Sequence, residues 1–142
     1  MVYILGINSV YHESSACLLK DGKIIAAVEE ERFNKIKHAK PAKIDNPDEI
    51  PLNVINFCLA QANIGLRDVN FIGFSFSPEK RLKNIGADRY FNEGSWGSKS
   101  GENLFYNKVK SVPFKLSKLA GKDITKRFNW IDHHLCHASS AF

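Results

Sequence analysis

Cysteine is scarce. Cys17, Cys58 and Cys136 are the only three in 142 residues. An odd count without framework spacing excludes a disulfide-stapled secreted domain and leads us to expect a reduced, cytoplasmic setting. No apolar run approaches the roughly 18–20 residues that a membrane-spanning helix needs. The opening MVYILGINSVYHESS lacks the basic and long apolar regions of a signal peptide. There is no Walker-type Gly-Lys-Thr/Ser, no GxGxxG and no Cys-x-x-Cys pair, so the common nucleotide and redox signatures are out. Internal repeats and low-complexity tracts are absent as well. A strong charge bias is also missing: 20 basic residues face 15 acidic ones, for a net +5. Lys and Arg are spread from Lys20 to Arg127, and the longest acidic run, Glu29-Glu30-Glu31, sits beside Arg32. A solvated surface explains this better than a nucleic-acid footprint, while an anionic small molecule remains compatible with it.

What is present reads as one α/β domain, with 44% hydrophobic and 25% charged residues in the ordinary globular range. Val2–Ile7 is a first strand. Ser15–Lys20 and Lys23–Val28 are a second and third, joined by Asp21-Gly22, a strong short-range hairpin signal. A polar stretch, 29–48, carries Pro41 and Pro47. A helix then starts at Asp48 or Pro51, with Ile50, Val54, Ile55, Cys58, Leu59 and Ala62 at helical spacing and Gly65 as its stop. Asp68–Phe76 reads as a fourth strand. The region from about 79 to 127 shows no clean period and is expected to be an insertion with some helix. Phe128–Asp132 is a fifth strand and Leu135–Phe142 begins a helix. The order β-β-β-α-β-(insertion)-β-α predicts a ribonuclease-H-like mixed sheet, the plan of actin-like phosphotransferases. In it the loop between the first two strands faces a phosphate-bearing ligand.

Three clusters could carry chemistry. In Asp132-His133-His134-Leu135-Cys136-His137, His133 and His137 are four apart. If helix starts at once, both imidazoles lie on one face and can chelate one divalent metal. His134 then points about 100° away. The bland alternative is a helix start capped by Asp132 with merely exposed histidines. The second cluster, Gly6–Ala16, offers Asn8, Ser9, Ser14 and Ser15 as donors to phosphate oxygens, and His12 as a general acid or base. An ordinary Ser- and Asn-rich turn has the same composition. The third, Glu29–His38, is either a surface turn with weak ion pairs or a site edge formed by Glu30, Arg32, Lys37 or His38, where the cations help hold an anion.

Together ILGINSVYHESSACLLKDGKIIAAVEEERFNKIKH, GSWGSKSGE and DHHLCHASSAF resemble the O-carbamoyltransferase family of nodulation and antibiotic biosynthesis. That family's catalytic domain is similar to the universal tRNA threonylcarbamoyladenosine transferase, with its actin-like fold and H-x-x-x-H iron or zinc site. The resemblance implies a two-part enzyme. A C-terminal domain resembling YrdC makes carbamoyl-adenylate from carbamoyl phosphate and ATP, and the N-terminal domain passes the carbamoyl group to a hydroxyl of a small-molecule acceptor, a sugar or natural product. It also places His133 and His137 on the metal-binding histidines. His12 falls on the histidine of the G-x-x-x-x-x-H-[DE]-S-S-A loop, and Glu29–His38 on the EERF-x-x-x-K-H stretch. Family members run to several hundred residues, so residues 1–142 are expected to be the N-terminal part of the transfer domain, truncated before the remaining metal ligands and the YrdC-like domain. Such a piece is expected to be inactive alone and, exposing apolar surface on strands four and five, to self-associate.

The alternative class is a non-catalytic module that binds a nucleotide or partner through the same fold. An actin-like kinase has no need of H-x-x-x-H. A zinc protease is disfavoured because His134 stands where H-E-x-x-H requires glutamate.

Overall fold

The computed structural model describes residues 1–9, 13–39, 50–84 and 92–140. Strands β1 (Tyr3–Asn8), β2 (Ser15–Lys20) and β3 (Lys23–Glu29) form the expected meander. Asp21 and Gly22 take φ of 48° and 79°, as a two-residue hairpin turn requires. A short helix, α1 (Glu31–Asn34), precedes α2 (Leu52–Gln61). Then come β4 (Phe71–Phe74), α3 (Pro78–Asn84), α4 (Lys99–Ala120), β5 (Phe128–Trp130) and α5 (His133–Ser139). The sheet order is β3-β2-β1-β4-β5, with β2 antiparallel to its neighbours and β1, β4 and β5 parallel. This is the ribonuclease-H-like mixed sheet.

The two sheet faces differ sharply. Leu5, Ile7, Ala16, Leu18, Ile72 and Phe74 alternate onto one face and are buried. Against them lie Val54, Ile55, Cys58 and Leu59 of α2, and Phe105, Val109, Val112 and Leu116 of α4, all in one core. The other face is an open trough of about 650 Å³ floored by Gly6, Cys17, Ala27 and Gly73. Beside it Ile4 and Phe71 are 36% and 51% exposed. At Gly73 a Cβ would stand 3.0 Å from Ile131 Cδ1, so glycine lets Ile131 lie flat on the strand.

Several boundaries move. A 3₁₀ turn, Leu66–Asp68, takes the start of the expected fourth strand. Helix α5 begins at His133 rather than Leu135, because Asp132 caps it by accepting from Leu135 N–H at 3.2 Å. The region 79–127, expected to be an insertion with some helix, holds α3 and a 22-residue helix, α4, that supplies a wall of the core. GSWGSKSGE forms its entry. Ser98 Oγ accepts from Gly101 N–H at 3.0 Å, and Gly97 N–H donates to Glu102 at 2.8 Å. Arg81 of α3 meets the buried Glu102 through two hydrogen bonds, 2.7 and 2.8 Å. Its guanidinium lies over Trp96 and Phe105 at 5.3 and 5.1 Å.

Candidate active site at the carboxyl ends of the parallel strands

Ligand sites in open α/β sheets form beyond the carboxyl ends of parallel strands, where chains diverge. Here β1 ends at Asn8, β4 runs out through Ser75 and Phe76, and β5 leads through Ile131 and Asp132 into α5. Ser75, absent from the three clusters named above, joins the first two of them. Its Oγ donates to Asn8 Oδ1 at 2.6 Å, and its carbonyl oxygen lies 3.1 Å from His133 Nδ1. The only sequence hint was its place at the end of a strand, before Ser77-Pro78.

Asn8 therefore spends its amide on the scaffold, since its Nδ2 also donates to the Glu13 carbonyl at 3.0 Å. Ser9 is buried, and Ser15 opens β2 beside the trough. Ser14 is buried too, and its Oγ has no hydrogen-bond partner among the described residues. A buried hydroxyl left unpaired disfavours the folded state, typically by about 1–3 kcal/mol. A ligand oxygen would relieve that. His12, the expected general acid or base, lies outside the described residues.

The third cluster does reach this loop. Glu13 N–H donates to the His38 carbonyl at 2.7 Å, and His38 Nδ1 stands 3.5 Å from Glu13 Oε1. Glu30 N–H donates to the Ser14 carbonyl at 2.8 Å. Buried Glu30 then caps α2, accepting from Val54 N–H at 3.0 Å and Asn53 Nδ2 at 2.5 Å. Glu13, Lys35, His38 and Ala39 all have positive φ, 55° to 70°, an uncommon conformation for such residues that concentrates at functional sites. Arg32 stays in exposed pairs with Glu29 and Glu31, and Lys37 is exposed. For these two the bland reading fits.

The histidines are arranged as the four-residue spacing predicts. His133 Nε2 and His137 Nε2 are 3.1 Å apart, while the His134 side chain is 96% exposed. Two imidazoles on adjacent vertices of a tetrahedral metal, each about 2.0–2.1 Å from it, hold their nitrogens roughly 3.3 Å apart. The pair therefore fits a divalent ion. His133 Nδ1–H donating to Ser75 O leaves His133 Nε2 with its lone pair forward, the usual outer-shell support of a ligand histidine. No cluster of three or more His, Cys, Asp or Glu completes a site among the described residues.

The nearby charges and thiols have settled roles. A hydrogen bond from Lys80, with the Leu135 amide, holds the Asp132 carboxyl below its ordinary range. Burial raises the Cys136 and Cys17 thiols above their ordinary range.

A family model described as the carbamoyltransferase N-terminus matches residues 3–142. The chain belongs to that family. Among curated relatives it is 35% identical over 153 residues to the uncharacterized protein sll1178 of Synechocystis, covering 100% of this chain and 23% of the relative. It is 29% identical over 144 residues to the nodulation protein NolNO of Sinorhizobium fredii, covering 95% and 18%. A 19.2 kDa Rhizobium etli protein, itself uncharacterized and encoded 5′ of syrM, shares 40% identity over 67 residues, 47% of this chain and 34% of its own length. The chain thus spans between about a fifth and a third of these relatives. Among solved structures, YeaZ from Pseudomonas aeruginosa is similar over 93% of this chain and 44% of its own, with TM-score 0.45 and 16% identity. Among the described residues no helix is long and apolar enough to cross a membrane.

Proposed function

We propose that this chain is the N-terminal part of a carbamoyl-transfer domain, which in the longer protein moves a carbamoyl group from carbamoyl-adenylate to a hydroxyl of a sugar or natural product. The reading is supported above all by Ser75, which ties the Asn8 loop and the His133–His137 pair together at one end of the sheet. Two clusters joined this way can act on one substrate. Asn8 fixes the loop, and Ser9, Ser14 and Ser15 offer hydroxyls to the phosphate of the adenylate. His12 accepts the proton as the acceptor oxygen forms its bond to the carbamoyl carbon, and the bond to the adenylate phosphate oxygen breaks to release AMP. His133 and His137 hold iron(II) or zinc, which when bound supplies Lewis-acid polarisation of the carbamoyl oxygen. ATP and carbamoyl phosphate enter through a YrdC-like part of the longer protein. Three free cysteines agree with a cytoplasmic setting.

The test uses the longer protein with carbamoyl phosphate labelled in its carbonyl carbon, ATP and a panel of hydroxyl acceptors. Label is expected in an acceptor. His12→Ala and His137→Ala should lose transfer yet keep pyrophosphate release, because adenylate formation lies elsewhere. Unimpaired transfer in both variants contradicts the proposal.

A further inference from the structure

Helix α3 follows β4 directly, and three consecutive residues in it each grip a different partner. Glu79 accepts from Lys110 of α4 at 2.6 Å, and Arg81 meets Glu102 of α4 at 2.7 Å. Between them, Lys80 Nζ turns away from α4 and reaches Asp132 Oδ2 at 3.0 Å. Asp132 gives its other oxygen to Leu135 N–H and so caps α5. The outer pairs fasten α3 to the body of the protein. The middle pair fastens α5 to α3.

The two imidazoles on α5 are held unequally. The His133 ring is bonded to the Ser75 carbonyl and lies against Phe76, with centroids 6.2 Å apart. Among the described residues the His137 ring contacts His133, and none of the residues of α5 is buried. A helix with no buried face draws little of its course from packing. The 3.1 Å separation of the Nε2 atoms therefore depends on what fixes its first turn.

We propose that Lys80 is a positioning residue for the His133–His137 pair: its ion pair with Asp132 sets the start of α5 and keeps the two imidazoles at chelating separation. This rests on the reading of the two histidines as metal ligands. An exposed ion pair usually contributes little, because two mobile side chains must be ordered. Here the contacts of Glu79 and Arg81 on either side have already fixed the backbone of Lys80. Electrostatics alone makes the opposite prediction. An ammonium near a cation site repels the cation, so a Lys80 that acted only by its charge would tighten metal binding when removed. A Lys80 that positions the pair weakens binding when removed.

The experiment is zinc titration by calorimetry of the chain and of Lys80→Met, Lys80→Arg, Asp132→Asn and the double variant Lys80→Met/Asp132→Asn. Amide hydrogen exchange at Leu135 and Cys136 is measured on the same proteins without metal. Asparagine still caps a helix, so Asp132→Asn removes the ion pair and keeps the cap. Lys80→Met should weaken zinc binding about two- to fivefold, the scale of an ordered exposed pair, and speed exchange at both amides. Lys80→Arg should stay within about twofold of the unaltered chain. Adding Lys80→Met to Asp132→Asn should change nothing further. Unchanged or tighter zinc binding in Lys80→Met overturns the proposal, as does its full effect in the Asp132→Asn background. If the unaltered chain takes up no zinc, the reading of the histidines as ligands fails separately. The exchange measurement then decides, and unchanged exchange in Lys80→Met overturns the positioning role.

Discussion

Replacing Arg81 by methionine should destabilise the chain more than any surface charge reversal. Glu102 is 2% exposed and the Arg81 side chain 24%, so the variant leaves a carboxylate buried without its cation. Breaking a buried pair from one side costs about 3–5 kcal/mol. The Gly97 N–H remains on Glu102, which favours the lower end, about 3 kcal/mol. For a chain of this size that corresponds to a melting temperature lower by roughly 10 °C. Glu102 also gives the effect a pH signature. Burial pushes its carboxyl up, but the hydrogen bonds from Arg81 and the Gly97 amide, with the Arg81 charge, outweigh burial and hold it below its ordinary 4.5. A depressed carboxylate contributes stability that is present above its unfolded value and is lost as pH falls below it. In Arg81→Met the carboxyl is instead raised by burial and protonates earlier, which relieves the penalty. The gap between the two melting temperatures, read by circular dichroism, should therefore narrow from pH 7 to pH 4. Arg81→Met/Glu102→Leu should recover most of the loss. A single variant within about 1 kcal/mol of the unaltered chain, or a gap that widens on acidification, refutes the argument.

Ser14→Ala should leave the melting temperature unchanged or slightly raised, because the Oγ it removes is buried and has no hydrogen-bond partner among the described residues. In the longer protein it should lower carbamoyl transfer at least about tenfold, and a clear loss of stability would show that the hydroxyl has a structural partner instead. The 142-residue chain should self-associate through the open trough face, where Ile4 and Phe71 are exposed. A monodisperse monomer in sedimentation velocity would count against this.

The meander was legible because its signals are local. Asp21-Gly22 needs two positive φ values, and the short apolar runs on either side of it read as strands. Helix α4 was hidden for a physical reason. Phe105, Val109, Val112, Leu116 and Ala120 follow helical spacing, yet exposed Leu104, Phe114 and Leu119 blur the stripe, and Pro113 reads as a breaker although it is buried inside the helix. At the site, the spacing of His133 and His137 foretold a shared face because α5 starts at its cap. Ser75 could not be read in advance. Its role exists only once β1 and β4 pair in parallel and place Asn8 beside it.

His133 and His137 together are expected to bind a divalent metal, and calorimetric titration of zinc into the chain and into His133→Ala, His134→Ala and His137→Ala reads that binding out. Two imidazoles without a further ligand should bind weakly, and either His133→Ala or His137→Ala should abolish uptake. His134→Ala, which removes a ring exposed at 96%, should change it little. Loss of binding in His134→Ala equal to the other two, or persistence in His137→Ala, would contradict the account.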